Sequence, residues 1–221
     1  MIIENIIKTI LIENPKYPEK LRQIYDPPKK LYVMGNAEIL NDLSIAIVGC
    51  RETTEYGKKA AIYFASNLAK QDINIVSGLA KGIDSYAHIG ALQAKGKTIA
   101  VIGSGLDIIY PKENEKLAQE IIKSGGAIIS EYPLGTKPEK EHFPARNRII
   151  SGLSNGVLVV EAKEKSGSLI TADFAMEQGK DVFVVPGNIN SLNSVGTNNL
   201  IKDGAILVNN YNDIIAWFFR K

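Results

Sequence analysis

From residue 31 onward this chain alternates between short β-branched apolar runs and amphipathic stretches of helical period. The runs are Leu31–Met34, Ser44–Val48, Ile73–Val76, Thr98–Ile102, Ala127–Ile129, Val157–Val160, Val182–Val185 and Ile206–Val208. The helical stretches between them include Tyr56–Ala69, Asp84–Ala94, Lys112–Lys123, Arg146–Leu153 and Leu169–Gln178. Strands alternating with helices predict βαβ units. Runs that are almost continuously apolar predict strands covered on both faces. The expected fold is therefore α/β, a mostly parallel sheet with helices on both faces. Residues 1–30 break the rhythm. Ile6, Ile7, Ile10 and Leu11 repeat at helical spacing, and Tyr17-Pro18 and Asp26-Pro27-Pro28 interrupt the backbone. They read as a short helical and proline-rich lead-in to one domain over 31–221.

Composition narrows the class. With 45% hydrophobic and 23% charged residues the chain has the balance of a soluble globular protein, not of a disordered tail, a collagen or a rod. No apolar run approaches the roughly 18 residues that a bilayer demands, and Met1-Ile2-Ile3-Glu4 does not open a signal peptide. One cysteine, Cys50, excludes an internal disulfide and a cysteine-cluster metal site, and makes a reducing cytoplasm the expected location. Lys and Arg number 26 against 24 Asp and Glu, a net charge of +2. A nucleic-acid binder with that balance must gather its cations on one face.

Glycines mark the ends of the predicted strands: Gly49, Gly78, Gly103 and Gly187. Ligands of open α/β sheets bind beyond the carboxyl ends of the strands, where glycine allows close backbone approach. Gly49-Cys50-Arg51 leads into a helix start. There the dipole disfavours a cation, so Arg51 asks for an anion such as phosphate. Cys50 reads as a packing residue. Ser77-Gly78-Leu79-Ala80-Lys81-Gly82-Ile83-Asp84 is a second strand-to-helix loop, its amides and Ser77 and Lys81 suited to a second phosphate, with Asp84 as a helix N-cap. Gly103-Ser104-Gly105 starts like a dinucleotide fingerprint, but Ile108 stands where the third glycine belongs, so it signals backbone approach to a ligand and not NAD. Lys112 follows on the same edge. Gly90…Gly96-Lys97-Thr98 resembles a P-loop, but has one residue too many and runs from helix into strand.

Lys137-Pro138-Glu139-Lys140-Glu141-His142-Phe143-Pro144-Ala145-Arg146-Asn147-Arg148 is the most informative stretch. A phenylalanine among Lys137, Lys140, Arg146 and Arg148 suits base stacking with cations on the backbone. The alternative is that Phe143 plugs the core and the arginines form salt bridges. The two arginines are expected to divide the roles, one facing the ligand and the other a carboxylate such as Glu161. Ser166-Gly167-Ser168, with Thr171, opens a further helix, and its hydroxyls can cap that helix or donate to phosphate. Turn-rich Pro186-Gly187-Asn188 and Ser194–Ile201 add another polar helix start. His88 and His142 lack metal-ligand spacing, and no G-x-S-x-G elbow occurs. No cofactor and no catalytic residue is expected.

Taken together these motifs resemble the DNA processing protein A family (DprA, also called Smf). The resemblance runs from Tyr17-Pro18…Asp26-Pro27-Pro28…Gly35-Asn36 to Gly196-Thr197-Asn198…Leu200-Ile201…Gly204-Ala205, with Ser77–Asp84, Phe143-Pro144…Arg146-Asn147-Arg148 and Gly167-Ser168…Thr171 as its most specific stretches. It implies an extended Rossmann-like domain that binds single-stranded DNA, protects incoming strands in natural transformation, helps load the RecA recombinase and forms a homodimer. It implies Arg51 as a phosphate-binding arginine, Phe143 as a base-contacting aromatic, Lys140 as a DNA-contacting lysine, and Leu200 and Ile201 near the dimer contact. Family members commonly carry Ser or Thr in place of Cys50, and many add an N-terminal helical domain and a C-terminal winged-helix domain. The competing reading is an enzyme, a nucleotide phosphoribohydrolase of the lysine-decarboxylase-like Rossmann group. Aligning the threonine of that group's Gly-Thr-x-x-Glu signature with Thr171 puts Phe174 where the glutamate is needed.

Overall fold

The computed structural model describes residues 7–219. Among them, nine strands form one sheet in the order β1-β2-β6-β5-β4-β3-β7-β8-β9. The strands are β1 (Ile7–Leu11), β2 (Lys30–Gly35), β3 (Ser44–Val48), β4 (Asn74–Ser77), β5 (Thr98–Val101), β6 (Ala127–Ser130), β7 (Gly156–Val159), β8 (Asp181–Val184) and β9 (Ile206–Leu207). Pairings from β6 through to β9 are parallel, whereas β1 and β2 join the β6 edge antiparallel. The fold class is the α/β, Rossmann-like sheet that the rhythm implies.

The helices are α1 (Glu19–Arg22), α2 (Glu55–Ala69), α3 (Ile83–Gln93), α4 (Glu115–Lys123), α5 (His142–Leu153), α6 (Gly167–Glu177), α7 (Val195–Lys202) and α8 (Tyr211–Phe218). Alternation along β3 shows how both faces are covered. Ala46 and Val48 pack with Leu21, Ile149, Leu153, Ala172 and Leu200, under α1, α5, α6 and α7. Ile45 and Ile47 pack with Ala61, Phe64, Ala87 and Ile214, under α2, α3 and α8. Every residue of β3 is buried.

The lead-in differs from expectation. Ile7, Ile10 and Leu11 lie in an edge strand, and only Ile10 of that strand is buried; Ile6 lies outside the described residues. A five-residue edge strand has too few inward positions to show period two, so spacing favoured a helix while the open edge of β2 captured the segment. Part of the lead-in packs into the main core. Tyr17, Leu21 and Ile24 are buried in the shared core, and the Tyr17 hydroxyl donates to Pro28 O at 2.7 Å.

Candidate nucleic-acid interface

Strand order reverses between β3 and β7, and the crevice beyond such a reversal is the ligand edge of an open α/β sheet. A cleft of about 730 Å³ opens there. One wall is the loop after β3, with Arg51 and Glu52; a second is Lys140 and the first turns of α5, with Phe143 and Asn147; a third runs from Lys163 and Lys165 into α6.

Phe143 is half-buried at the junction of these walls. The guanidinium carbon of Arg51 lies 5.4 Å from its ring centroid and that of Arg146 lies 6.0 Å away. The exposed ring of Tyr110 stands at 5.7 Å. Both cations are within cation–π range. The expected aromatic among cations is thus present at the cleft, and Arg51 and Phe143 face one another.

Close loop packing fixes Arg51. Cys50 N donates to Glu161 O at 2.8 Å, and Ile83 N donates to Cys50 O at 3.2 Å. Gly82 makes the second contact possible. Its φ is +77°, and a Cβ there would stand 2.3 Å from Cys50 O and 2.5 Å from Arg51 O. Helix α2 begins only at Glu55, so Arg51 precedes it on a loop. The helix start is served instead by buried Glu161, whose carboxylate accepts from Thr54 N at 3.0 Å and from the hydroxyls of Thr53 and Thr54. The dipole reason for Arg51 is therefore corrected, although the side chain does line the cleft. Beside it, burial and the Glu161 carboxylate push the Cys50 thiol up to about 12, leaving a neutral packing residue.

At the third wall, Ser166 occupies the N-cap position of α6 without capping it; its hydroxyl lies 2.8 Å from that of Ser168. The expected cap is absent. Ser166, Gly167 and Ser168 line the cleft, and first-turn amides without a side-chain cap are anion donors. Asn147 ties this turn to α5, donating to Gly167 O at 3.2 Å.

Several expected contacts lie elsewhere. Ser77 and Ser104 are buried, their hydroxyls donating to Ile47 O and Ile108 O, both at 2.7 Å. Gly78 and Gly103 are buried too. Gly78 O accepts from Arg146 at 2.7 Å and Gly103 O lies 3.1 Å from His142 Nδ1, so the carbonyls of these strand ends hold α5. Asp84 is in the first turn of α3, whose N-cap is Gly82. Lys81 is exposed and paired with Glu113 at 2.6 Å, and it lines a small pocket beside the cleft with Arg51, Tyr110 and Phe143. Lys112 and Lys137 are exposed outside the cleft wall. Neither Arg146 nor Arg148 meets Glu161. Arg148 makes a two-pronged ion pair with Glu131 at 2.8 Å and reaches Asp26 at 3.1 Å, while Arg146 is only 4% exposed. Leu200 belongs to the core cluster at 7% exposure and Ile201 packs half-buried against that cluster.

Tyr110, Asn147, Lys163 and Lys165 were not singled out as site residues, yet they border the cleft. Tyr110 directly before Pro111 at a strand-end loop, and the two lysines in the loop after β7, were the available signals.

With this geometry in hand, comparison with known proteins is decisive. The profile of the DNA recombination-mediator protein A family matches residues 8–218. The chain belongs to the DprA/Smf family. It is 50% identical over 202 residues to DNA processing protein DprA of Streptococcus pneumoniae, covering 91% of this chain and 71% of that protein. The X-ray structure of that DprA has a TM-score of 0.90 at 48% identity, covering 95% of this chain and 74% of that one. DNA processing protein A of Helicobacter pylori, whose structure concerns its unique single-stranded DNA binding mode, has a TM-score of 0.87 at 39% identity, covering 97% of this chain and 96% of that one. In this DprA-family member the Phe143–Arg148 motif forms the opening turns of α5, at the mouth of the cleft.

Proposed function

We propose that this DprA-family chain grips single-stranded DNA in the cleft beyond β3 and β7 without cutting it. The observation that carries the reading is Phe143, its ring 5.4 Å from the Arg51 guanidinium and 5.7 Å from the Tyr110 ring at a cleft mouth. An unpaired base stacks on the aromatic pair, which contributes about 1–3 kcal/mol per base. Arg51, Lys140 and Lys165 draw the backbone, beside Lys163 in its ion pair with Glu52 at 2.8 Å, and the first-turn amides of α6 take a phosphate. The Helicobacter pylori relative, described for its single-stranded DNA binding mode, supports the same use of this fold.

Two features count against the enzymatic alternative. The thiol in its wall is held neutral, and Phe174 stands at the position where the phosphoribohydrolase signature needs a carboxylate. Family membership supports the finer roles: protection of incoming strands, help in loading RecA, and action as a homodimer in the cytoplasm. Among the described residues no helix is long and apolar enough to cross a membrane.

The test is a titration with single-stranded and duplex oligonucleotides at two salt concentrations. The single strand should bind tighter, because duplex bases are already stacked. The log–log slope should be about −0.7 for each phosphate contacted. Equal affinity for both forms defeats the reading, and release of free base from a nucleoside monophosphate would revive the enzyme. Sedimentation tests the homodimer, and the RecA role requires that the protein shorten the lag of RecA ATPase on protein-coated single strands.

A further inference from the structure

Arg146 is a puzzle for any account in which every arginine of the motif touches DNA. It is 4% exposed at the floor of the cleft. Its Nη1 donates to Gly78 O at 2.7 Å and also to Val101 O, and its Nε donates to Asn147 Oδ1 at 3.2 Å. Gly78 directly follows β4 and Val101 is the last residue of β5, so both carbonyls lie at carboxyl ends of strands. Both bonds leave from one nitrogen, so a phosphate would have to compete with two carbonyls for Nη1.

Asp84, itself buried, supplies opposite charge. It reaches Ala80 N at 3.4 Å and flanks Gly78 together with Arg146. A Cβ on Gly78 would lie 2.7 Å from Asp84 Oδ2 and 2.8 Å from both Cζ and Nη2 of Arg146. A methyl at Gly78 would therefore press on both charged side chains that close over it. Burial, and next to it the charge of Arg51, bring Arg146 down to about 10 against the opposing pull of Asp84, so it stays protonated at neutral pH. Phe143 precedes Arg146 by three residues on α5, which places them on one face. The ring rests 6.0 Å from the buried cation.

We propose that Arg146 is a positioning residue: by clamping α5 to the ends of β4 and β5 it fixes the Phe143 ring at the cleft mouth, and it makes no contact with the polynucleotide. The proposal rests on the single-stranded DNA reading. A buried charge that costs desolvation is retained here for geometry at the binding edge.

The test is a double-mutant cycle on the full chain, read by fluorescence anisotropy with labelled oligothymidylate over a salt series. Arg146→Met is expected to weaken binding about tenfold, within the range of one lost stack. Its salt slope should match wild type, whereas a lost phosphate contact lowers the slope by about 0.7. In a Phe143→Ala background the same substitution should cost less than about twofold, because coupled residues are non-additive. Gly78→Ala, which forces a methyl between the charges, should give the same pattern. Thermal unfolding monitors integrity, and Arg146→Lys, which keeps the buried charge but not the fork, carries the cycle if the methionine variant does not fold. Full additivity with Phe143→Ala, a reduced slope, or unchanged affinity overturns the positioning role. If Phe143→Ala and Arg51→Ala both bind like wild type, it is the DNA reading itself that has failed.

Discussion

Phe143 and Arg51 sit 5.4 Å apart but are expected to contribute differently to binding. The ring offers an apolar face with no charge, while the guanidinium offers a charge that releases counterions. Phe143→Ala should therefore weaken single-strand binding by about 1–3 kcal/mol with the salt slope intact. Arg51→Ala should lower the slope by about 0.7, which the same salt series measures. A second residue-scale expectation concerns His88, fully buried on α3. Thr98 Oγ1 donates to Ile75 O at 2.7 Å, so it accepts from Nδ1–H of His88, also at 2.7 Å. Nε2 is left buried with no partner among the described residues. Burial, and after it the charge of Arg146, drives His88 down to about 3 from its ordinary 6.5. The unfolded chain thus takes up a proton between those values and the folded protein does not, so stability falls as pH drops below 6.5. Thermal melts across that window should show an acid limb that is flattened in His88→Leu. A limb of unchanged steepness in the variant would assign the effect to other groups.

At the scale of elements, α5 braces the ligand edge to the rest of the protein. Its first turns carry Phe143 and Arg146, its middle carries Arg148, and the ammonium of Lys180 donates to Ser151 O and Gly152 O at its end, at 2.6 and 2.7 Å. Arg148 and Glu131 are 12% and 17% exposed, a partly desolvated two-pronged pair. Arg148→Met should cost about 3 kcal/mol of stability, measured by denaturant unfolding, since it strands the Glu131 carboxylate. The salt slope for single strands should not move. The motif that marks this helix was visible in the sequence, but the division of labour between its arginines was not. Which side of α5 meets the strand ends and which meets Glu131 depends on how the helix crosses the sheet, and neither Asp84 nor Glu131 is near in sequence. The same holds at Gly78 and Gly103. Their strand-end positions were legible, yet their carbonyls serve Arg146 and His142, contacts 68 and 39 residues away.

For the whole molecule, the parallel sheet was readable because its runs are buried on both faces and thus continuously apolar. Strand order was not readable, since it is settled by long-range pairing. Placing β3 between β4 and β7 makes the switch point, and that reversal brings the loops after β3 and β7 and the start of α5 around one cleft. β1 and its antiparallel pairing with β2 escaped prediction for the same reason. The central claim is positional: the strand lies across this reversal with a base against Phe143 and Tyr110. Photocrosslinking a single-stranded oligonucleotide that carries 5-iodouracil, followed by peptide mapping, tests it directly. The crosslinks are expected on the peptides containing Tyr110 and Phe143, and to be competed away by unlabelled single strand. Crosslinks concentrated on the β1–β2 edge or on α8, with the cleft peptides unmodified, would contradict it.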